Sequence, residues 1–435
     1  GAAASLSGAS TLDTATEATA NAVDVYATSL RLNATAGIAA SNNALETEVM
    51  LLSANSGTGA LFLTESTDVA IGETAAISVN RVAATGATST TGSTDATQSD
   101  LISGGAAVLT TTAGSITVRE GDVDAGTLGA SSAGNLLLQA GGVVSDILIE
   151  ARILATTGSI TLLAGRDIVQ GGNVVASAAA ATIEQIAGRD ITQAQGFGTT
   201  TNGGNIAFTA GNNIVIETIT AGTGSVSLVA TAGSITDGDA AGDTEVDVTA
   251  AGLKLSAATG IGAAGNLLET TVTTLSARAG AGGIFLNETD GVTVDRVPAS
   301  VNHIDTAAVA TATAPGAQED LATTANGSIV LLSNTGNLVI QAGTAGTPGL
   351  DANGAGNVLL QASAGSVTLY ASVQSGSGNI SLTAAGTVTQ NADANVSTGG
   401  TGTLDVLAVT GNIVQAASAR ATAAAGRIRM QGGGR

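Results

Sequence analysis

Short apolar alternations punctuate the chain from end to end. Ile160-Thr161-Leu162 and Val367-Thr368-Leu369 are typical. Apolar, polar, apolar is a period of two, which belongs to β-strand and not to helix. Each run covers only about three to five residues before polar and glycine positions interrupt it, so the predicted strands are short. A fixed unit precedes many of them: Gly, then Asn or Ser, then apolar-x-apolar. It recurs at Gly114-Ser115-Ile116, Gly158-Ser159-Ile160, Gly204-Asn205-Ile206, Gly224-Ser225-Val226, Gly327-Ser328-Ile329, Gly378-Asn379-Ile380 and Gly411-Asn412-Ile413. Gly165-Arg166-Asp167-Ile168 and Gly188-Arg189-Asp190-Ile191 are variants. The glycine is expected to supply a positive φ at a sharp corner. The Asn or Ser is expected to hold the turn by a local hydrogen bond.

The spacing of these units sets the architecture. Ile160, Ile183, Ile206 and Val226 follow one another at intervals of 23, 23 and 20. Val358, Ile380, Leu404 and Ile428 follow at 22, 24 and 24. Rungs of this length, with two or three short strands and glycine corners, predict an all-β, right-handed parallel β-helix (a β-solenoid) with long protruding loops. Leucine-rich repeats share the rung length but need an L-x-x-L-x-L-x-x-N frame, which the chain lacks. Sandwiches need regularly spaced hairpin turns, and none recur. Division of the length by the rung gives roughly 20 rungs, stacked at about 4.8 Å each over about 95 Å.

A longer period overlies the short one. Leu45-Glu46-Thr47 returns as Leu268-Glu269-Thr270, an offset of 223 in the numbering. Gly134-Asn135-Leu136-Leu137-Leu138-Gln139-Ala140 returns as Gly356-Asn357-Val358-Leu359-Leu360-Gln361-Ala362, an offset of 222. The chain therefore reads as two super-repeats, 1–222 and 223–435, of one continuous coil rather than two globular domains, each about ten rungs or about 48 Å. Gly426-Arg427-Ile428 stands at the phase of Gly204-Asn205-Ile206, so the two copies fall slightly short of a full count. We expect a segment of a longer periodic fibre.

The copies diverge in one place above all. Copy one has Val79-Asn80-Arg81-Val82, then a Thr/Ser/Gly/Ala stretch to Gln98-Ser99-Asp100-Leu101; copy two has Val294-Asp295-Arg296-Val297, then Pro298 through Pro315 to Gln318-Glu319-Asp320-Leu321. Aligned on these anchors, loops 82–100 and 297–317 are expected to protrude from the coil. Long loops are often functional, so any receptor contact would lie there. A shorter variable stretch spans Gly121 to Ala133 and matches Gly343 to Ala355.

Composition narrows the function classes. The net charge is −21, from 34 acidic and 13 basic residues. Such a surface has no cationic field for nucleic acid and is equally unsuited to anionic lipid heads. No apolar run approaches the roughly 18 residues of a membrane span, so membrane insertion of this segment is not expected. With no cysteine, disulfides and thiolate metal sites are excluded. Aromatics are 1% of the chain, which suits a narrow core of stacked Ile, Val, Leu and Ala.

Candidate chemistry is thin. His303 is the sole histidine and is read as an incidental surface residue, so Cys/His nucleophilic pairs and zinc clusters are absent. Asp237, Asp239, Asp243, Glu245 and Asp247 lie close together, as do Glu120, Asp122 and Asp124. They offer hard oxygens to calcium, but the G-G-x-G-x-D β-roll repeat is missing, and solvated acidic loops are the favoured reading. Gly280-Ala281-Gly282-Gly283 looks like a phosphate loop, yet no Gly-Lys-Ser/Thr follows, and it is read as a corner of the coil. No catalytic, cofactor-binding or metal residue is assigned, no cofactor is expected, and the chain is read as a non-enzyme.

The runs from Gly158 to Ile168, Asn205 to Ile214 and Gly378 to Val388 resemble the repeats of filamentous-haemagglutinin-type exoproteins. These are large surface proteins of Gram-negative bacteria, typically exported by two-partner secretion. The resemblance covers most of the chain and implies a secreted, extracellular or cell-surface location, but it carries no binding residues. The expectation is a structural fibre segment that self-associates end to end or laterally. The alternative is an adhesin shaft holding a cell-surface receptor or glycan through the two loops. A β-helix polysaccharide-active enzyme is a distant third.

Overall fold

The computed structural model describes residues 2–8, 12, 22–121, 128–239, 242, 245–341, 343 and 347–433. Among them there is no helix. Short strands pair in parallel with strands one rung away, and they build a large parallel sheet of β-solenoid type. Two compact units divide the chain. The first holds Gly1–Asn202 and Val301–Thr313, the second Gly203–Ser300 and Ala314–Arg435.

In the first unit one rung runs through Leu136–Ala140, Ile147–Ile149 and Arg152–Ala155. Each strand pairs in register with its counterpart in the next rung: Leu136 with Ile160, Ile147 with Ile168, Ile153 with Val174. Ile160 in turn faces Ile183. In the second unit Val358 faces Ile380, Ile380 faces Leu404, and Leu404 faces Ile428. The apolar spacings of the sequence are thus the ladder registers of the structure. Register is firm because a slip of one residue would turn every buried Ile, Val and Leu outward. Inward positions such as Ile160, Leu162, Ile380 and Leu382 are fully buried.

Two expectations about the Gly-Asn/Ser unit need correction. Gly158 and Gly378 do not have a positive φ. They are glycines because the neighbouring rung leaves no room: a Cβ on Gly158 would lie 2.2 Å from the Gly134 carbonyl carbon, and one on Gly378 would lie 2.1 Å from the Gly356 oxygen. Close backbone approach, not turn handedness, selects the residue. Nor does the following Asn or Ser bond within its own turn. The Asn135 side-chain oxygen accepts from the Ser159 N–H at 3.0 Å, and the Ser159 hydroxyl from the Thr182 N–H at 3.1 Å. In the second unit Asn357 serves the Asn379 N–H at 2.8 Å, and Asn379 the Thr403 N–H at 3.0 Å. The motif is an inter-rung clamp that satisfies backbone donors where the strand ladder has not yet begun. The Arg-Asp variants do the same with charge: the Arg166 Nε donates to Asp146 at 2.8 Å, and the Arg189 Nε to Asp167 at 2.8 Å. Burial alone would raise the Asp146 carboxyl. The Arg166 hydrogen bond, the Asp167 N–H and the charges of Arg166 and Arg189 together hold it below the usual carboxylate range.

Candidate functional site

The strongest departure from a bare coil lies where the two copies diverge. In both, the divergent segment is a β-hairpin inserted between rungs. The first hairpin pairs Ile77 with Asp95, Ser78 with Thr94, Arg81 with Ser89 and Val82 with Thr88. The second pairs Val301–Ile304 antiparallel with Ala310–Thr313. At their bases Thr74 bridges Gln98, and Val297 bridges Gln318.

These bridges correct the loop alignment. Thr74 and Val297 stand at the same offset as Leu45 and Leu268, so the long period continues undisturbed to the root of the hairpin. The strand Val69–Ile71 accordingly corresponds to Val292–Val294. At that offset Val79 falls on Asn302 and Arg81 on Ile304, so Val79-Asn80-Arg81-Val82 lies opposite the second hairpin, not opposite Val294–Val297; its likeness in letters to Val301-Asn302-His303-Ile304 stands one residue out of step. Similar-looking tetrapeptides, V-N-R-V and V-D-R-V, misled the sequence comparison, because similarity of letters outranked the unbroken offset.

The roots are built alike. Gln98 donates through Nε2 to the Leu32 carbonyl at 2.8 Å, and Gln318 to the Leu255 carbonyl at 2.8 Å; the acceptor is moved on by 223 and the donor by 220, because the second hairpin is three residues shorter. Beside them the Arg31 Nε donates to the Ala96 carbonyl at 3.0 Å, and Lys254 Nζ to the Pro315 and Gly316 carbonyls at 2.5 and 2.9 Å. A cation at this position thus ties down the returning strand in each copy. Burial lowers the Lys254 pKa.

Beyond the root the hairpins part ways. The second does not protrude, contrary to expectation. Residues 301–313 belong to the first unit and lie flat on its sheet. The Asn302 N–H donates to the Thr182 hydroxyl at 2.8 Å, and its side-chain amide to the Ser159 hydroxyl at 3.2 Å. His303 Nδ1 meets the Glu184 carboxyl at 2.7 Å. The Ile304 N–H donates to the Thr161 hydroxyl at 2.9 Å, and Asn135 reaches the Ala308 carbonyl at 3.0 Å. Val301 and Ile304 are buried, at 2% and 0% exposure. His303, read as incidental, is thus a docking residue; its partner Glu184 lies more than a hundred positions away, and no local pattern could announce it. The first hairpin is exposed from Ser78 to Gly92, while Ile77, Ser93 and Asp95 are half-buried, and Val79 and Val82 are 58% and 65% exposed.

The acidic cluster also differs from its reading as solvated loops. Glu217, Asp237 and Asp247 are buried. Two groups of carboxylates have oxygens within 4.8 Å of one another: Glu217, Asp239 and Glu245, and Asp237, Asp247 and Glu269. Asp237 accepts from the Asp239 N–H at 2.8 Å and from the Asn266 amide at 2.8 Å, while Asp247 accepts from the Glu269 N–H at 2.7 Å. Such oxygens are of the class that holds calcium. Glu217 and Glu269 were missed because rung stacking, not sequence proximity, brings them in. Asp243, Asp122 and Asp124 lie outside the described residues, and Glu120 is exposed. Gly280 to Gly283 is a corner: Gly283 has φ +84° and leads directly into the strand Gly283–Glu288. In the shorter variable stretch, Leu128–Ser132 and Leu350–Ala352 are strands, and 122–127 and 344–346 lie outside the described residues.

Two further carboxyls escaped the sequence reading. Glu65 and Glu288, equivalent positions of the two copies, are fully buried and face into the coil. Glu65 accepts from the Thr47 hydroxyl at 2.7 Å and the Val49 N–H at 3.1 Å, and Glu288 from Thr270 at 2.6 Å and Val272 at 3.0 Å. Burial pushes Glu288 up to about 8 against the pull of the Thr270 and Val272 donors, and Asp290 adds to the rise. Burial raises Glu65 in the same sense.

No protein-family model, curated protein or solved structure matches the chain.

Proposed function

We propose that the chain is a structural segment of a repetitive extracellular or cell-surface fibre of bacterial type, wound as a right-handed coil of about twenty rungs. One observation carries the reading: the two super-repeats match at the level of individual contacts. The ladder Leu136–Ile160–Ile183 is repeated by Val358–Ile380–Leu404, and the hairpin roots repeat Gln98 to Leu32 as Gln318 to Leu255. A molecule selected for one active site has no use for the same scaffold twice, whereas a spacer has. The buried Glu65 and Glu288 are each satisfied inside the coil by a neighbouring Thr hydroxyl and a backbone N–H. The resemblance to filamentous-haemagglutinin repeats supports a secreted fibre, and the acidic surface suits one that must stay dispersed. Electron microscopy of the assembled material is expected to show thin filaments with an axial period near 48 Å, about ten rungs at about 4.8 Å, or a multiple of it. A uniform particle of monomer mass at every concentration would overturn the reading.

A second reading, an adhesin shaft, draws on the exposed first hairpin with Val79 and Val82 at its surface. Deletion of residues 77–95 with cell attachment as the readout separates the two. Loss of attachment with the filaments intact favours adhesion.

A further inference from the structure

We propose that the basin at the root of the second hairpin binds a small carboxylate of the sugar-acid class, and that this site is built in the second copy and not in the first. The inference is independent of the fibre reading and requires no assembly.

The basin has a volume of about 650 Å³ and lies within the second unit. Lys254, Arg278 and Arg296 line it, with Gln318, Glu319 and Gly343 beside them. Clefts of this size take small molecules. Three cations at one place stand out in a chain with 13 basic and 34 acidic residues. Rung stacking gathers them. Lys254 pairs with Ser276 and Ser256 with Arg278, so Lys254 and Arg278 are diagonal neighbours on the outer face of adjacent strands. Arg296 follows the strand Val292–Val294, which pairs with the strand of Arg278 at Thr274 and Leu275. Lys254 is 5% exposed. Its Nζ gives two N–H groups to the Pro315 and Gly316 carbonyls, which leaves one donor. Among the described residues the arginine ion pairs engage Arg119, Arg166, Arg189 and Arg429, and none engages Lys254, Arg278 or Arg296. A buried ammonium flanked by two guanidinium groups is a site that an anion completes.

The first copy is a built-in control. Arg31, Asn55, Glu73 and Ser99 stand where the second copy has Lys254, Arg278, Arg296 and Glu319, at offsets of 223 for the first three and 220 for the last. Packing agrees with this alignment: a Cβ on Gly121 would lie 2.1 Å from the Ser99 Cβ, and one on Gly343 would lie 2.6 Å from the Glu319 Oε2. The first copy thus sets one cation against one carboxylate, and the second sets three against one. The root bond from Gln98 or Gln318 is the same in both, so the scaffold does not require Arg278 and Arg296.

The surrounding acids define the ligand. Glu319 is on the wall, and Asp320 is 6% exposed next to it. Burial, Glu319 and Asp295 push the Asp320 carboxyl up to about 6 against the pull of Arg278. A doubly charged sulfate or phosphate meets this negative field at close range, and a polyanion meets the net charge of −21. A single carboxylate suits the cations, since a guanidinium grips it in bidentate form. Glu319 offers lone pairs to hydroxyl groups. A hexuronate carries both kinds of group.

Calorimetry on the whole chain tests the site, with glucuronate as the probe and methyl glucoside as its uncharged control. One glucuronate per chain is expected, with an affinity on the order of millimolar for a ligand of this size. Methyl glucoside should give no binding. Arg278→Asn and Arg296→Glu install the first copy's residues, so the coil should fold, and each should weaken binding roughly tenfold or more. The converse pair in one chain, Asn55→Arg with Glu73→Arg, should add a second site. A trisaccharide ending in glucuronate separates the two sources of the acid: tighter binding than the free sugar identifies a glycan terminus, and equal binding the free acid, both dependent on Arg278. A flat titration with glucuronate would overturn the site, as would binding indifferent to Arg278→Asn and Arg296→Glu. Sulfate held as tightly as glucuronate would overturn the carboxylate assignment.

Discussion

The two hairpins are built on the same root and end in opposite states. The Gln-to-Leu carbonyl bond and the basic residue beside it are common to both. Yet Val301 and Ile304 are buried, whereas Val79 and Val82 are more than half exposed. The root therefore does not decide whether a hairpin lies flat. The first hairpin is broken into two short pairings, Ile77–Ser78 and Arg81–Val82, whereas Val301–Ile304 is one continuous strand. Beneath that strand the Thr161 and Thr182 hydroxyls take its backbone N–H groups. Insertions in a solenoid are usually discounted as tolerated surface loops, and here one of them is part of the packed structure.

The contrast is broken most severely by a charge at the apolar end of the docked strand. Ile304→Asp puts a carboxylate in the place of a fully buried isoleucine, a cost of about 3 kcal/mol or more. The strand should lift, and amide exchange should accelerate across residues 301–313 while the rungs beneath keep their protection. Val82→Asp in dilute, unassociated chain places its charge in water and should alter stability by less than about 0.5 kcal/mol. Equal effects from the two substitutions would mean that the first hairpin is not free.

A second comparison lies inside the coil, at the paired glutamates. Glu288 titrates near 8 when folded, against an ordinary 4.5. Between those values the folded chain holds a proton that the unfolded chain has released. Stability is therefore highest below about pH 4.5 as far as this group is concerned, and falls as pH climbs through 8. One pKa unit corresponds to about 1.4 kcal/mol, so the full swing is on the order of a few kcal/mol. Glu288→Gln should flatten the fall and raise the urea midpoint at pH 8. Glu65→Gln should act in the same direction, since burial raises that carboxyl as well. Urea midpoints from pH 5 to pH 8 check both, and a wild-type midpoint that rises with pH would refute the assignment of Glu288 as the dominant group.

The coil was readable because it is periodic. Spacings from Ile160 through Ile183, and from Val358 through Leu404, are the observed registers, since a rung is a local object whose inward residues must recur. The reason for Gly158 was not readable, because the atom it avoids belongs to Gly134, a full rung away. The hairpins were placed in the right region but misaligned, and the direction taken by the second was invisible. Its partners Ser159, Thr161 and Glu184 lie 119 to 143 residues from the residues they bind. The acidic pocket failed in the same way: a string of neighbouring Asp residues was noticed, but Glu217 and Glu269 join it only by stacking. Sequence reports what repeats within a rung and is silent about what one rung lends to another.

The finest probe of the hairpin contrast is His303. Its imidazole is the nitrogen that meets the Glu184 carboxyl, whose side chain is 8% exposed. His303→Ala leaves that carboxylate with the Thr161 hydroxyl at 3.4 Å. A buried acceptor stripped of its main partner costs about 1–3 kcal/mol, less whatever water enters the gap. The loss should fall on the docked hairpin alone, seen as faster cleavage by protease within residues 301–313 with the thermal transition of the coil unmoved. Arg81→Ala, in the exposed hairpin, gives up its bond to the Gly92 carbonyl in water and should leave both readouts unchanged in unassociated chain. If His303→Ala behaved like Arg81→Ala, the hydroxyls of Ser159, Thr161 and Thr182, with buried Ile304, would be holding the strand, and the His303–Glu184 pair would be a consequence of docking instead of a cause.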